Sequence, residues 1–339
     1  MQRQDLLVYF FIYLFLPIVS IYKINKRGNS ELYLNIDVTN SLKGLAIIMI
    51  IVHHIIQKNA DFVLLLPFLN FGCIGVSVFL LLSGYGITTS YKNKKNYMHG
   101  FLIDKFLRLY ISFFIVYVLF LVISMLNDNN ISFKLIIFNL LTMSYPKQIM
   151  WYLKVQLLMY VIFYFIYRTS LEDYEKARLM IILTFIYIII AKVIRLEAYW
   201  YNTSIFFPLG VLLVEYKEKI LNLLKKYSTL LLIVSVLIFL GIVIFRFMFG
   251  DMGKTRIIDI IAMIIFNILI LSMCYMFNIN SYFLKFMGKI SLELYLIHII
   301  LLSEINTWHI DSIYNYILFF IIVILISFIL NKIHKKIKV

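Results

Sequence analysis

Long apolar runs, separated by short charged or asparagine-rich breaks, dominate the sequence from end to end. A helix of roughly 20 apolar residues is long enough to cross the hydrocarbon core of a bilayer. The pattern therefore predicts an all-α integral membrane protein with about 11 transmembrane helices. The predicted spans are residues 5–23, 39–57, 70–91, 104–126, 150–168, 178–196, 202–216, 228–249, 257–278, 288–303 and 312–333.

One shorter apolar run decides the orientation of everything after it. Residues 131–145 include Lys134 and Asn139, and we interpret this run as a re-entrant or interfacial segment rather than a crossing. With that choice, most of the later Lys and Arg residues fall on the cytoplasmic side, including Lys335 and Lys336. The protein is predicted to lie in a bacterial inner (plasma) membrane. Its N-terminus is expected outside and its C-terminus in the cytoplasm.

Three regions are expected along the chain. Residues 1–30 read as an additional N-terminal transmembrane helix with a basic linker, because the first run lacks a small-residue cleavage pattern. Residues 37–333 form the main membrane domain, and residues 334–339 form a basic cytoplasmic tail.

Composition supports this picture and excludes several functions. With 63% hydrophobic and 14% charged residues, the chain is not a water-soluble globular protein. The net charge of +15 is better explained by cytoplasmic loops that contact membrane lipids than by nucleic-acid binding, which we do not expect. Cys73 and Cys274 stand alone in apolar runs, so neither a disulfide nor a metal site is predicted.

Two histidines lie deep in predicted spans. His54 follows Lys43 by eleven residues, which places its imidazole about 16 Å further along the helix. His298 follows Lys289 by nine residues, about 13 Å. Ionisable groups are costly inside a membrane, so two histidines at a similar depth on separate helices indicate a functional site.

Neighbouring residues extend this interpretation. Ser291 and Tyr295 share a helix face with His298, whereas Glu293 lies off that face. His53 points about 100° away from His54 around the helix, and we expect it to be structural.

Further polar groups gather near the predicted cytoplasmic and outer surfaces. Lys105 and Arg108 share a face at a helix start and could bind phosphate, although positive-inside anchoring is an open alternative. Ser83 and Gly84 could leave room for a slender ligand or simply let helices pack closely. Another such group, Trp151 with Gln156, could contact substrate or belong to an aromatic belt.

Together these segments resemble the acyltransferase 3 family of integral-membrane enzymes over about residues 37–333. Lys43 and His54, with ten residues between them, resemble the family's opening motif with Lys in place of the usual Arg. Lys105-Phe-Leu-Arg108 resembles its Arg-x-x-Arg element.

The second and late motifs resemble the family's as well, with two departures. Residues 75–85 match the second motif, but Ser77 stands where an acidic residue is common. Residues 288–298 match the late Gly-x-x-Ser…Tyr-x-x-His pattern. The Trp-Ser-Leu-x-x-Glu element of many members ends here in Gln156, so no carboxylate acts at that position.

The resemblance implies transfer of an acyl group, most often acetyl, from acyl-CoA to a hydroxyl of a cell-surface or lipid-linked glycan. His54 would act as general base or as acyl carrier, and acetyl-CoA would be the donor. The implied residues are His54, Tyr295 and His298 for catalysis, Lys43, Lys105, Arg108, Ser83 and Gly84 for the donor, and Trp151, Gln156 and Ser291 for the acceptor.

A second class of function stays open at this point. A polysaccharide transporter or flippase would also place histidines inside the membrane, as proton relays. Such a protein would not require Lys43 beside the Lys105 and Arg108 pair at one membrane face. A non-catalytic partner of a polysaccharide synthase, the nature of the acyl group and a homodimer are also left open by the residues.

Overall fold

The fold is described from a computed structural model. The structure describes residues 13–14, 16–21, 24–26, 33–58, 63–127, 131–145, 147–249, 256–304 and 312–337. Most of the predicted first span, 5–23, and most of region 1–30 lie outside these residues.

Nearly all of the described chain is helical. The helices are α1 (Leu16–Ile21), α2 (Ile36–Lys58), α3 (Phe71–Asn93), α4 (Phe101–Leu126), α5 (Phe133–Thr142), α6 (Lys147–Tyr167), α7 (Asp173–Val193), α8 (Phe206–Glu215), α9 (Lys217–Phe249), α10 (Arg256–Met276), α11 (Tyr282–Lys289), α12 (Ser291–Glu304) and α13 (Ser312–Lys336). Short 3₁₀ turns occur at Val63–Phe68 and Ala198–Trp200. The strands β1 (Ile24–Lys26) and β2 (Phe277–Ile279) form one small antiparallel pair.

Within the described residues, 7 helices are long and apolar enough to cross a membrane, and 8 if a bent pair counts as one span. The seven are α2, α3 with the preceding turn, α4, α6, α9, α10 and α13. The bent pair is α11 and α12, which meet at 76°. A largely helical membrane architecture is thus confirmed, whereas the predicted eleven spans and the orientation are not.

Two predicted spans differ from the observed helices. The segment predicted at 178–196 forms α7, which contains Lys176, Arg178 and Lys192 as well as Asp173 and Glu175 in its first turns. These charges keep α7 out of the set of apolar helices. The segment predicted at 202–216 forms only the 10-residue α8, about 15 Å long, which is half of the hydrocarbon thickness.

The short segment at 131–145 forms the 10-residue helix α5. Ser132 caps its N-terminus by accepting a hydrogen bond from the backbone N–H of Leu135, and Met143 ends it in the left-handed conformation. Most of its apolar side chains are exposed, and its length is too short for a crossing. Its placement as a re-entrant or interfacial segment stays a prediction.

Helices α2 and α11 meet at a backbone contact that positions both histidine-bearing helices. A Cβ atom on Gly44 would lie 2.0 Å from the carbonyl oxygen of Leu284, and a Cβ on Gly288 would lie 1.8 Å from that of Asn40. Only glycine permits this approach. The bend to α12 follows directly after Gly288, so the joint fixes where α12 begins relative to α2.

Ion pairs tie other helices together. Lys92 at the end of α3 pairs with Glu215 of α8 and with Asp173 of α7. Arg246 of α9 pairs with Asp259 of α10, and both are largely buried. These pairs link α3 to α7 and α8, and α9 to α10.

Candidate active site

The centre of the site is a pair of imidazole rings contributed by two helices. The rings of His54 on α2 and His298 on α12 lie 5.2 Å apart, centroid to centroid. His298 is completely buried. The ring of His53 lies 4.7 Å from that of His54. The structure therefore brings together the two histidines that the sequence predicts to share a depth.

Hydrogen bonds to carbonyl oxygens define the tautomers of these histidines. Nδ1 of His298 donates to the backbone oxygen of Leu294 over 3.0 Å, and Nδ1 of His54 donates to Oε1 of Gln57 over 2.8 Å. Because a carbonyl only accepts, the proton resides on Nδ1 and each Nε2 keeps its lone pair. Among the described residues, neither Nε2 has a hydrogen-bond partner.

His53 is held differently and supports the helix packing. Its Nδ1 donates to the backbone oxygen of Leu69, and a Cβ atom on Gly72 would meet its ring at 2.4 Å. His53 thus closes the contact between α2 and the start of α3, in keeping with the structural role expected for it.

Two tyrosines pack beside the imidazole pair. The ring of Tyr295 lies 5.9 Å from that of His298 and 5.0 Å from that of Tyr152 on α6. The hydroxyl of Tyr295 donates to the backbone oxygen of Ile149 over 2.8 Å. Its only proton is therefore used to fasten α12 to α6.

A second cluster, of cations, lies towards the other end of α2. Lys43 and Lys105 are each close enough to Arg108 for their positive charges to repel. Within the described part of the chain, none of the three forms a salt bridge. Asp104 is the one carboxylate near enough to Lys105 to offset part of this charge among the described residues. This cation cluster (Lys43, Lys105 and Arg108) is thus a positive site with no direct ion pair, and Lys43 lies about 16 Å from His54 along the helix.

A polar face of α6 connects the two regions. Tyr152, Gln156 and Tyr160 recur at four-residue spacing and so share one face. Nε2 of Gln156 donates to Oγ of Ser83 over 3.2 Å and to the Tyr160 hydroxyl over 2.5 Å. The ring of Tyr160 lies 6.0 Å from Phe101. This polar face therefore leads from the Tyr295 side of the imidazole pair towards the cation cluster.

Three sequence-predicted residues lie away from these groups. Gly84 packs against α8, where a Cβ atom would be 2.1 Å from the carbonyl oxygen of Phe207. Trp151 contacts the ring of Tyr199 at 5.5 Å. The hydroxyl of Ser291 donates to the backbone oxygen of Gly288 over 2.9 Å at the bend. Their assignment to donor or acceptor binding stays a prediction.

Sequence reasoning missed Gln57 and the surroundings of Glu293. The three-residue spacing from His54 could have revealed Gln57. Glu293 is buried and accepts hydrogen bonds from Nδ1 of His334 at 3.1 Å and Nδ2 of Asn331 at 3.1 Å. Ser112 adds a weaker bond at 3.4 Å. No local signal links Glu293 to partners about forty residues later.

The comparison with known families decides the identity of the chain. The sequence model of the family described as an acyltransferase domain matches residues 36–332, which is most of the chain. The chain belongs to the acyltransferase 3 family. This acyltransferase is therefore an acyl-transferring enzyme and a multi-pass membrane protein. A search of curated proteins and a search of solved structures each find no match.

Proposed function

We propose that this acyltransferase moves an acyl group, most simply acetyl, from acyl-CoA to a hydroxyl of a lipid-linked or cell-surface glycan. The observation that carries the proposal is the hydrogen bond from Nδ1 of His54 to Gln57, which leaves Nε2 as a base beside the buried His298. Membership of the family supplies acyl transfer in general. The donor, the acceptor and the role of His54 are our inference.

The cation cluster is suited to binding the acyl-CoA donor. Coenzyme A carries several phosphates, and Lys43, Lys105 and Arg108 form a net positive cluster without ion pairs at the end of α2 remote from His54. Arg108 can bind two phosphate oxygens at once. The uncharged pantetheine arm would follow the polar face of α6 towards the imidazole pair, so that the thioester reaches His54.

The chemistry then needs one base. Nε2 of His54 removes the proton from the acceptor hydroxyl while the hydroxyl oxygen attacks the thioester carbonyl. A C–O bond forms, the C–S bond breaks, and the imidazolium returns the proton to the leaving thiolate. Gln57, an exposed residue one turn further along α2, holds the imidazole in the required tautomer through its hydrogen bond to Nδ1.

The acceptor would approach from the opposite end of α2. There Lys58 donates to the backbone oxygen of Leu302, and Nδ2 of Asn127 donates to Oε2 of Glu304 over 2.8 Å. Amide, carboxylate and ammonium groups of this kind bind sugar hydroxyls. The arrangement favours donor and acceptor entering from opposite faces, with the enzyme in the inner membrane.

The test is acetyl transfer by the purified full chain in nanodiscs, with radiolabelled acetyl-CoA and a lipid-linked glycan. His54→Gln should abolish transfer while the protein elutes and melts like wild type, whereas His99→Gln, which alters an exposed loop histidine, should transfer normally. Undiminished transfer by His54→Gln would overturn the role of His54. Export of glycan with no acetylation by wild type would favour the transporter instead.

A further inference from the structure

A groove lies on the surface between the end of α3 and the end of α6. It encloses about 650 Å³, within the usual range for ligand sites. Its lining comprises Tyr91, Lys92, Lys94, Asn96, Tyr97, Met98, Tyr167, Arg168 and Asp173. We call it the α3–α6 groove. It is much larger than a single phosphate needs and combines three tyrosines with three cations.

The charge of the α3–α6 groove is unbalanced. Lys92 is neutralised, because it pairs with both Asp173 and Glu215. Lys94 and Arg168 form no salt bridge among the described residues. Arg168 donates one hydrogen bond to the hydroxyl of Tyr164 and keeps further N–H groups for a ligand. An anion with about two negative charges would compensate Lys94 and Arg168.

The groove is continuous with the cation cluster. The ammonium of Lys105 lies 5.6 Å from the centroid of the Tyr97 ring, which lines the groove. The charges of Lys94 and Lys105 are also close enough to repel. Burial raises the pKa of Tyr97 to about 12, so its hydroxyl remains a donor. A ligand in the groove can therefore extend directly to Lys105 and Arg108.

We propose that the α3–α6 groove binds the adenosine 3′,5′-bisphosphate end of the donor, with Lys94 and Arg168 on the 3′-phosphate and Tyr97 beside the adenine ring. This inference rests on the proposed function, since it names where the nucleotide of acyl-CoA lies. Lys105 and Arg108 then contact the pyrophosphate, and the pantetheine arm leaves the groove past Phe101. The phosphate of an anionic lipid headgroup offers related chemistry, and the experiment separates the two.

The first arm measures binding of adenosine 3′,5′-bisphosphate by calorimetry, with the full chain in phosphatidylcholine nanodiscs. Lys94→Gln and Arg168→Gln should each weaken binding about tenfold, the value of one charge-assisted hydrogen bond. The matched controls are Lys95→Gln, a neighbouring exposed lysine outside the groove, and Arg178→Gln. Arg178 lies on Tyr174 as Arg168 lies on Tyr164, so both arginine variants lose a similar surface contact.

The second arm compares acetyl-CoA with acetyl-dephospho-CoA, which lacks the 3′-phosphate. Wild type should show a KM about tenfold lower for acetyl-CoA, and Lys94→Gln and Arg168→Gln should lose this preference with kcat unchanged. Equal KM values for the two donors in wild type, or equal nucleotide binding by all variants, would overturn the groove assignment while leaving acyl transfer intact. A further contrary result is that the nucleotide only competes with phosphatidylglycerol in nanodiscs that contain this lipid, with no binding of its own in phosphatidylcholine nanodiscs. That result would also overturn the groove assignment, in favour of a lipid headgroup site.

The two proposals fail in different ways. If wild type transfers nothing from acetyl-CoA, the proposed function fails. The binding of adenosine 3′,5′-bisphosphate still tests the groove in that case. If Lys94→Gln and Arg168→Gln each weaken this binding while Lys95→Gln and Arg178→Gln bind normally, the site is identified without reference to activity.

Discussion

Nδ1 of His54 donates a hydrogen bond of 2.8 Å to the side-chain oxygen of Gln57, one helical turn further along α2. This contact leaves Nε2 with its lone pair and orients the ring against His298. On the proposed function, we expect Gln57 to be a positioning residue, with an effect on the rate of the chemical step rather than on donor binding.

Replacement of Gln57 by Leu should therefore lower kcat about fivefold or more, because one orienting hydrogen bond contributes about 1 kcal/mol and the wrong tautomer is inactive. The KM for acetyl-CoA should not change. Steady-state kinetics in nanodiscs separate the two parameters. Gln57→Glu keeps an acceptor oxygen and should recover much of the rate; an unchanged kcat in Gln57→Leu would contradict the positioning role.

Replacement of Tyr295 by Phe tests whether its hydroxyl positions or reacts. The hydroxyl fastens α12 to the backbone oxygen of Ile149, a carbonyl inside helix α6. Its loss removes one hydrogen bond between the two helices and should cost about 1 kcal/mol of stability. The rate per folded molecule should change less than threefold or so, since the ring still packs on His298. Thermal unfolding and kcat are measured on the same preparation. A loss of kcat of about a hundredfold would instead place the hydroxyl in catalysis.

The joint between α2 and α11 should tolerate no added atom. Gly288→Ala introduces a Cβ atom that would lie 1.8 Å from the carbonyl oxygen of Asn40. We expect destabilisation by about 3 kcal/mol, or failure to accumulate, because backbone must move. Gly86→Ala is the matched control, since nothing lies within 4 Å of its added Cβ. The melting temperature of Gly86→Ala should stay constant or rise slightly. If the two variants were equally stable, the close contact between α2 and α11 would not require glycine.

The buried carboxylate of Glu293 should matter for stability more than for chemistry. It accepts hydrogen bonds from His334 and Asn331 of α13, and Glu293→Gln should cost about 1–3 kcal/mol because these donors lose a charged partner. The double variant with His334→Asn should cost less than the sum of the single variants. Denaturant unfolding gives all three values, and strict additivity would show that the two residues do not interact.

The sequence accounts for much of the architecture. Apolar runs correctly predict helices over residues 39–57, 70–91 and 104–126, since a buried apolar helix needs little else to specify it. The pairing of His54 with His298 follows from depth along two helices, which the rise per residue gives without tertiary information.

The misses come from packing between distant segments. The predicted span 288–303 overlaps α12, but the sequence did not reveal α11, which precedes α12 at an angle of 76°. The close approach of Gly288 to Asn40 depends on residues far apart in the chain. The α3–α6 groove could not be predicted from the sequence either, since it forms only where the ends of two helices meet. The partners of Glu293 were missed for the same reason.

The glycine joint between α2 and α11 also determines how the enzyme can accommodate an acyl chain. Because backbone touches backbone at Gly44 and Gly288, α2 cannot slide or tilt without carrying α11 along, and the two imidazoles travel as one unit. On the proposed function, we expect any widening around the reacting carbonyl to come from the side of α6, which carries Tyr152 and Gln156. Chain-length selectivity of the enzyme should accordingly be encoded in α6.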